Sequence, residues 1–574
     1  MENREIASLL SETADLMEIA SEDSFRIRSY RNAASAIDSY PERVADIAAN
    51  PARKLTEIQS VGKGIAFVIA ELLERGSFEK RDQLLARYPP TALELLKIQG
   101  LGPKSIALLF EHFRVSTIDD LERLCKEQKL RTLPRMGAKL EEKVLRSIEE
   151  YRGASGKYLL SFARRKAAEL IEYLAAVPGV DLVTPAGSVR RGRETVADLD
   201  LLVTGRDAAA ALTAFGAYPG LHVLLGSGPN KASGKVGLEG LQVDVRALPP
   251  ESFGAAMQYF TGSKEHNVLL RQRALKLGYT LNEYGLFRLE NATRVAGQTE
   301  EEIYEKLGLS WIPPELRENC GEIEAAAERQ LPTLIQLPDI RGDLHMHTRE
   351  TDGRATLEEM AGHCRDLGYE YIAITDHSKA LSMANGLDEQ RVVAFARRVR
   401  EINENGLGIR ILSGLECDIL KDGAMDIADE ALAELDFVVG SVHSHMKQEP
   451  AEMTDRLLRA LENPHIRVLG HPTGRILLHR DAYGYDFEKI AAAAATNRVA
   501  LEVNASPERL DLHGPLLRTA KSKAVKFTIS TDAHHPKHLS NMHYGVLMAR
   551  RGWLTPSDVL NTLPLDKFLQ AIEK

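Results

Sequence analysis

The chain has 574 residues, of which 44% are hydrophobic and 27% are charged, and its formal net charge is −9. This length exceeds what one hydrophobic core supports, so we expect three or more domains in a globular protein. The net negative charge argues against unspecific coating of nucleic acids, and no apolar run is long enough to span a membrane. The charged, helical N-terminus does not resemble a secretory signal, and the four cysteines are scattered, which predicts a cytoplasmic location without disulfides.

Residues 1–150 are predicted to be helices separated by glycine turns, and three of these turns resemble one another. Glycine lets a ligand approach the backbone closely, and the helix that follows offers free amides to an anion. One such motif could be only a turn, but three within about 80 residues favour a helix-hairpin-helix clamp on DNA phosphates. The motifs are residues 58–65, 98–104 and 133–140, and the candidate DNA contacts are Gly62, Gly64, Gly100, Gly102 and Lys104.

Strands and helices alternate from about residue 155, with predicted strands at 189–203 and 241–247. Asp198 and Asp200 are two residues apart, so on a strand both side chains point to one face. Asp244 would come from an adjacent strand, and three carboxylates can hold two Mg²⁺ ions for displacement at phosphorus. The alternative is a pair of surface aspartates on an edge strand, which the apolar flanking residues argue against.

The segment 187–191, Gly-Ser-Val-Arg-Arg, precedes these carboxylates. The Ser188 hydroxyl, the Arg190 or Arg191 guanidinium and the backbone near residue 187 can cradle phosphate oxygens. An all-oxygen metal site beside such a cradle indicates phosphoryl transfer.

These residues resemble the family X DNA polymerases, over roughly residues 1–316. The resemblance rests on Asp244 and on the segments 187–192, 198–200, 259–263, 282–286 and 301–304. It implies a nucleotidyltransferase palm in which the three aspartates bind two Mg²⁺ or Mn²⁺ ions and the third eases removal of the primer 3′-OH proton. The implied nucleotide-binding residues are Gly187, Ser188, Arg191, Gly192, Tyr259, Phe260, Thr261, Gly262, Lys264 and Asn267.

The same resemblance implies individual roles. The residues matching Ser188 and Arg191 bind the triphosphate, and the turn at 259–262 lies against the sugar and discriminates against a 2′-OH. Asn267 and Arg271 match positions that contact the nascent base pair and the template minor groove, so Arg271 is a further candidate DNA contact.

One position departs from the animal repair members of this family. They carry a Schiff-base lysine on the helix after the first hairpin, where this chain has Val68, and Lys63 lies on the turn instead. Imine chemistry requires an amine at that position, so we expect no 5′-deoxyribose-phosphate lyase activity.

Histidine is concentrated after residue 340, where 14 of the 17 histidines lie. Short apolar segments at 371–375, 436–442, 467–470, 500–505 and 526–531 alternate there with amphipathic helices, which predicts a parallel barrel. A lone histidine is more often a core or surface residue, but here ligand-type side chains follow successive strands, where such a barrel has its active site. The candidates are His345, His347, Asp352, His377, Glu416, His443, His471, Asp532 and His534.

This ligand pattern resembles the PHP (polymerase and histidinol phosphatase) domain, a distorted TIM-like (β/α)7 barrel. The resemblance implies phosphoester hydrolysis at a centre of two or three Zn²⁺, Mn²⁺ or Fe ions. Asp376 is expected to support the ligands from behind, and His445 and His535 are either extra contacts or surface residues.

The chain as a whole resembles the bacterial family X DNA polymerases with a C-terminal PHP domain, a multidomain fold. The expected domains are a helical DNA-binding domain (1–90), a helical fingers-like domain (91–154), a palm (155–248), a thumb-like nucleotide-selection domain (249–316), a linker (317–338) and the PHP domain (339–574).

We therefore expect a monomeric repair polymerase that fills short gaps in gapped or primer-template DNA with dNTPs, with no membrane partner. The PHP domain is expected to act as a 3′–5′ exonuclease, with 3′-phosphatase or AP endonuclease activity as further options. Two alternatives are a small-molecule phosphatase with a vestigial polymerase module and a non-catalytic DNA-end scaffold.

Overall fold

Glycine-led turns separate the first helices in the computed structural model, which describes all residues except 2, 39, 41, 135, 155, 238 and 574. Met1–Gly156 and Lys157–Lys574 form two separate units. In the first unit each helix buries one apolar face; in the second helix, for example, Ile27, Tyr30 and Ile37 are buried. The helices are α1 (Asn3–Ile19), α2 (Ser24–Asp38), α3 (Val44–Ala49), α4 (Lys63–Arg75), α5 (Glu79–Arg87), α6 (Pro103–Phe113), α7 (Ile118–Lys126) and α8 (Ala138–Ala154).

The predicted palm is built on a five-stranded sheet in the order β2-β4-β7-β6-β5, in which only β4 and β7 are parallel, and β1 pairs with β3. Along β7 the side chains of Leu241, Val243 and Val245 are buried, so Asp244 points to the opposite face. The elements are β1 (Tyr158–Leu159), α9 (Leu160–Ala175), β2 (Leu182–Pro185), α10 (Gly187–Arg190), β3 (Thr195–Val196), β4 (Asp198–Thr204), α11 (Ala210–Gly216), β5 (Leu221–Ser227), β6 (Lys231–Val236) and β7 (Leu241–Leu248).

The prediction of one strand over 189–203 is wrong in its first half. The helical turn α10 and the two-residue strand β3 precede β4, and glycines with positive φ interrupt the extended backbone at Gly187 (+58°) and Gly192 (+69°). Hydrophobic alternation does not reveal such a break because both conformations bury Val189 and Val196.

The predicted thumb packs three helices against a three-stranded antiparallel sheet. Residues 259–261 end a helix rather than form a turn, and the turn begins only at Gly262, with φ +67°. The predicted linker is also partly packed, because Ile323 and Leu334 lie in the thumb core. The elements are α12 (Phe253–Thr261), α13 (Lys264–Lys276), β8 (Tyr279–Asn282), β9 (Gly285–Arg288), β10 (Arg294–Ala296), α14 (Glu300–Lys306) and α15 (Glu322–Ala327).

The rest of the chain forms a seven-stranded parallel sheet whose strands are neighbours in chain order, which confirms the predicted barrel. The Met346–Ala533 bridge brings its first and last strands together, with a 2.9 Å bond from the His347 amide to the Ala533 carbonyl. The elements are β11 (Gly342–Asp343), α16 (Leu357–Asp366), β12 (Tyr371–Ile374), α17 (Glu389–Asn405), β13 (Arg410–Asp418), α18 (Asp429–Leu432), β14 (Phe437–Ser441), α19 (Pro450–Leu461), β15 (Ile466–Leu469), α20 (Phe487–Thr496), β16 (Ala500–Asn504), α21 (Gly514–Ser522), β17 (Phe527–Ser530), α22 (Met542–Arg551) and α23 (Leu565–Ile572).

The palm and the barrel share one hydrophobic core. Leu199 and Val243 of the palm belong to the same buried cluster as Leu415 and Leu501 of the barrel. Among the described helices, none combines the length and the apolar character needed to cross a bilayer.

Candidate active sites

The palm brings its two central carboxylates side by side. Asp200 on β4 and Asp244 on β7 are register partners in the parallel pair, and Asp198 lies two residues before Asp200. A β-carbon at Gly187 would lie 2.7 Å from Oδ2 of Asp200, and the φ of this glycine is +58°. Only glycine allows the phosphate-cradle segment to pass so close to the carboxylates.

The pKa values of Asp200 and Asp244 are shifted in opposite directions. Burial raises the pKa of Asp200 to about 6, and the neighbouring Asp198 and Asp244 carboxylates add to the effect. Burial also raises the pKa of Asp244, but hydrogen bonds from Lys231 and Ser233 outweigh it and hold this pKa below its usual range. Lys231 Nζ lies 2.6 Å from Oδ2 of Asp244.

A divalent cation suits this site because it relieves the repulsion among the carboxylates and binds hard oxygen ligands. The palm aspartates do not form a tight set, however. Among the residues that the structure describes, sets of three ligand-type side chains with atoms within 4.8 Å of one another occur only in the barrel. Asp244 is instead paired with Lys231.

The two arginines of the cradle segment have different partners. Arg190 donates to Thr261 Oγ1 at 2.7 Å and makes two parallel bonds to Glu300, at 2.8 and 2.7 Å. It thereby fastens the palm to the thumb, so the Arg190 alternative as the phosphate ligand is disfavoured. Arg191 donates from Nε to Glu318 Oε1 at 3.1 Å and from Nη1 to the Thr261 carbonyl.

The predicted sugar and base-pair contacts lie at the junction of α12 and α13. Asn267 donates to the Tyr259 carbonyl at 2.7 Å and accepts from Gln258 at the same distance. The Arg246 guanidinium lies over the Phe260 ring, with its central carbon 4.3 Å from the ring centroid. Lys264 and Arg271 are exposed on α13, where a ligand can reach them.

The glycine turns of the first unit leave helix amides uncapped. Gly62 precedes α4 and Gly102 precedes α6, and neither helix start has a side-chain cap. A β-carbon at Gly62, Gly64 or Gly102 would meet no other atom within 4 Å, and Lys104 is exposed. Gly100 instead has φ +98° and packs on Leu140, which gives it a conformational role. Arg135 of the third motif lies outside the described residues.

The barrel gathers its predicted ligands around one buried carboxylate. Glu416 Oε1 lies 2.9 Å from His471 Nε2 and 3.3 Å from His443 Nε2. Its Oε2 lies 2.9 Å from His377 Nδ1 and 3.4 Å from His345 Nε2. Three overlapping ligand sets result: His347, Asp352, His377 and His534; His345, His347 and Asp532; His377, Glu416 and His443.

Several ring nitrogens in this cluster are buried without a hydrogen-bond partner. They are His345 Nε2, both nitrogens of His347, His377 Nδ1 and His471 Nδ1. Burial and the facing imidazoles of His534 and His377 lower the pKa of His347 to about 3. A neutral imidazole has a free lone pair, and unpaired buried nitrogens beside carboxylates are what a transition-metal centre requires.

Buried carboxylates that the sequence analysis missed orient these ligands. Glu502 accepts from His345 Nδ1 at 2.7 Å and from the His471 amide at 2.6 Å, and Asp418 lies 2.5 Å from His443 Nδ1. Such partners set which ring nitrogen faces a metal. Their signal is present in the sequence, since Glu502 lies inside the largely apolar strand β16 and Asp418 ends β13 two residues after the predicted ligand Glu416.

The supporting residues predicted from the sequence behave differently. Asp376 accepts from the Thr348 amide and hydroxyl at 2.8 and 2.6 Å, so it supports the loop before Asp352 rather than an imidazole. His535 Nδ1 accepts from the Lys537 amide at 3.0 Å, which makes it a helix cap, and His445 is exposed. Neither histidine belongs to the ligand sets among the described residues.

An arginine adds positive charge at the edge of the barrel site. Arg509 Nε lies 3.5 Å from Oδ2 of Asp532, and its Nη1 is buried without a hydrogen-bond partner. A guanidinium placed in this way can bind a phosphate oxygen. The barrel site therefore offers metal ligands and an anion contact together.

Known protein families match four segments of the chain. They are a helix-hairpin-helix domain (1–78), a SAM-like helix-hairpin-helix tandem (92–150), the DNA polymerase beta thumb (256–318) and the PHP domain (343–506).

Individual proteins are similar to this chain over different shares of its length. The DNA polymerase/3′-5′ exonuclease PolX of Bacillus subtilis (strain 168) is 36% identical over 566 residues, which cover 98% of each chain. A probable phosphatase of Thermoanaerobacter sp. (strain X514) is 26% identical over 232 residues, 38% of this chain and 89% of the phosphatase. A solved ternary P/T complex of Leishmania infantum polymerase beta aligns with 40% of this chain and 98% of its own at 25% identity, with a TM-score of 0.28.

Proposed function

The chain belongs to the PolX family of DNA polymerases with a 3′–5′ exonuclease PHP domain, and we propose that it fills short gaps in DNA repair and trims 3′ ends. The observation that carries the proposal is the pairing of two chemically distinct sites in one unit. Asp200 and Asp244 adjoin in the palm, and unpaired imidazoles surround Glu416 in the barrel. The first suits nucleotidyl transfer and the second suits phosphoester hydrolysis.

In the proposed polymerase reaction Asp198, Asp200 and Asp244 would hold two Mg²⁺ or Mn²⁺ ions, which would supply positive charge for the triphosphate and for the primer 3′-OH as it loses its proton. Ser188 and Arg191 bind phosphate oxygens of the dNTP. The end of α12 lies against the sugar and excludes a 2′-OH, and Asn267 and Arg271 contact the base pair and the minor groove.

The nine ligands described above would hold two or three Zn²⁺, Mn²⁺ or Fe ions in the proposed hydrolytic centre. When bound, the ions supply Lewis-acid activation of a water and charge for the phosphate. Glu416 lies close to the imidazoles of His345, His377, His443 and His471, and Glu502 and Asp418 hold the imidazoles in orientation. Arg509 binds a phosphate oxygen of the 3′ nucleotide.

The helix-hairpin-helix motifs are proposed to grip the DNA backbone through uncapped helix amides and Lys104. Such contacts carry no sequence information, which suits an enzyme that acts wherever a gap occurs. We further propose that the protein acts as a monomer in the cytoplasm, where its four free cysteines would stay reduced.

Two alanine variants test the two activities separately. A labelled gapped duplex is incubated with dNTPs and Mn²⁺, and extension and shortening are followed on one gel. Asp198→Ala is expected to abolish extension and retain shortening, and His345→Ala is expected to do the reverse. Asp181→Ala and His363→Ala serve as controls because both residues are exposed and outside the two sites.

Each failure of this experiment has a specific meaning. Extension by Asp198→Ala at the wild-type rate would refute the palm site, and shortening by His345→Ala would refute the barrel site. Release of phosphate from a soluble monoester, with neither extension nor shortening of DNA, would identify a small-molecule phosphatase instead. Binding of gapped DNA without turnover under several metals would identify a scaffold.

A further inference from the structure

The barrel contacts the nucleotide-binding segment of the palm directly. Arg551, the last residue of α22, donates from Nη1 to the Arg191 carbonyl at 2.8 Å and to Glu318 Oε1 at 3.1 Å. Its side chain is only 4% exposed. Arg551 of the barrel and the Arg191 guanidinium of the palm therefore donate to the same carboxylate, that of Glu318.

The backbone of the same segment also packs closely against α22. A β-carbon at Gly192 would lie 2.6 Å from the Leu547 side chain on α22, and Gly192 has φ +69°. The segment therefore packs against α22 on one side, and Arg551 contacts it at the Arg191 carbonyl, immediately before Gly192.

Glu318 is the centre of a charge cluster with three arginines. Arg191 Nε and Arg551 Nη1 each lie 3.1 Å from Oε1, and Arg193 Nη1 lies 3.6 Å from Oε2. The Glu318 side chain is 19% exposed, so its charge is poorly screened by water. Removal of any one arginine would leave Glu318 to be neutralised by the other two.

Arg191 has two competing uses for one guanidinium. Its Nε and Nη1 are engaged by Glu318 and by the Thr261 carbonyl, whereas the proposed function requires it to bind the triphosphate. Turning toward a nucleotide costs the Glu318 contact. That cost is small only if another cation stays within hydrogen-bond distance of Glu318 Oε1, because Arg193 lies near the other oxygen, at 3.6 Å, and a partly buried carboxylate oxygen without a partner is unfavourable.

From this geometry we infer that Arg551 of the PHP domain is a positioning residue for the incoming nucleotide: it stays on Glu318 and so releases Arg191 to the triphosphate. The inference rests on the proposed triphosphate role of Arg191. It makes the hydrolytic domain part of the polymerase site, because the barrel supplies the counter-charge that sets nucleotide affinity. Arg551 does not touch the reacting atoms.

The first test is the steady-state extension of a gapped duplex by the full-length protein. Arg551→Ala is expected to raise the KM for dNTP about tenfold with little change in kcat, as loss of one charge-assisted bond predicts. Arg551→Lys keeps the charge and is expected to restore most of the affinity. An unchanged KM in Arg551→Ala would overturn the inference.

A double variant separates positioning from simple support of the interface. In Arg551→Ala/Glu318→Gln the competing carboxylate is gone, so the KM is expected to return toward the wild-type value. A KM that stays high would show that Arg551 only supports the interface, which would also overturn the inference. Arg550→Ala is the matched control, since Arg550 binds Glu315 at 2.8 Å and the Ile335 carbonyl at 3.0 Å without touching the nucleotide segment.

Two further measurements test whether the barrel stays folded in these variants and whether Arg191 binds the triphosphate. Exonuclease activity and thermal unfolding of each variant report whether the barrel is intact. Arg191→Ala tests the premise: if it leaves the KM for dNTP unchanged, the proposed role of Arg191 fails. If Arg191→Ala raises the KM and Arg551→Ala does not, only the present inference fails.

Discussion

The Glu502 carboxylate accepts a 2.7 Å hydrogen bond from Nδ1 of His345, although 157 residues separate them in the chain. This bond turns Nε2 of His345 toward Glu416 and Asp532, at 3.4 and 3.8 Å. A neutral amide would hold the ring less firmly and make the imidazole less basic.

Glu502→Gln is therefore expected to lower 3′–5′ exonuclease activity, or the affinity for the activating metal, by about 10- to 100-fold. Nucleotide incorporation should be unchanged, because the palm site has its own ligands. Metal titrations of both activities check this, with Glu508→Gln as an exposed control on the following loop. Full exonuclease activity at limiting metal would contradict the prediction.

Lys231 is expected to compete with a divalent cation for Asp244, since its Nζ lies 2.6 Å from the carboxylate. Lys231→Met should lower the Mg²⁺ concentration for half-maximal incorporation by about three- to tenfold, because the cation no longer displaces an ammonium. The measurement is a Mg²⁺ titration at saturating gapped DNA. Lys235→Gln, an exposed residue on the same strand, is the control, and an unchanged or higher Mg²⁺ requirement would count against the competition.

The lowered pKa of Glu300 predicts that this residue contributes to the free energy of unfolding in a pH-dependent way. Burial raises its pKa, but Arg317 and Arg190 outweigh burial and lower it from 4.5 to about 2. Because the folded pKa lies below the unfolded one, the stabilisation is complete above pH 4.5 and is lost as the pH falls toward 2.

Glu300→Gln is thus expected to cost about 3 kcal/mol at pH 7. The difference from wild type should be constant between about pH 6 and 8 and shrink below about pH 4.5. Thermal unfolding at several pH values measures it, and exposed Glu301→Gln on the same helix is the control. A difference that grows on acidification would refute the assignment.

Val68 packs against the core of the first unit from α4. No amine is available there to form an imine, so the protein should give no borohydride-trapped adduct with a 5′-deoxyribose-phosphate end. The same preparation should extend a gapped primer, which controls for activity. The structure places Lys63 at the first position of α4 rather than on the preceding turn, and an adduct that disappears in Lys63→Ala would show that this lysine has replaced the missing one.

The residue types and local patterns of the sequence are sufficient to predict the barrel, the glycine turns and the ligand candidates. Strand period and metal chemistry are local properties: Asp198 and Asp200 share a face because they are two residues apart, and His377 follows an apolar strand. The same local information does not reveal the break at Gly192 or the packing of Ile323 into the thumb.

Only the tertiary structure shows that two adjacent arginines have different partners. Arg190 is held by Glu300, 110 residues away, and the Arg191 carbonyl is held by Arg551, 360 residues away. Partner choice at such separations depends on how elements pack, and no periodicity in the sequence encodes it. The sequence by itself therefore determined which ligand-type residues each proposed site contains, because spacing along strands is local, whereas packing decided which charges lie next to one another.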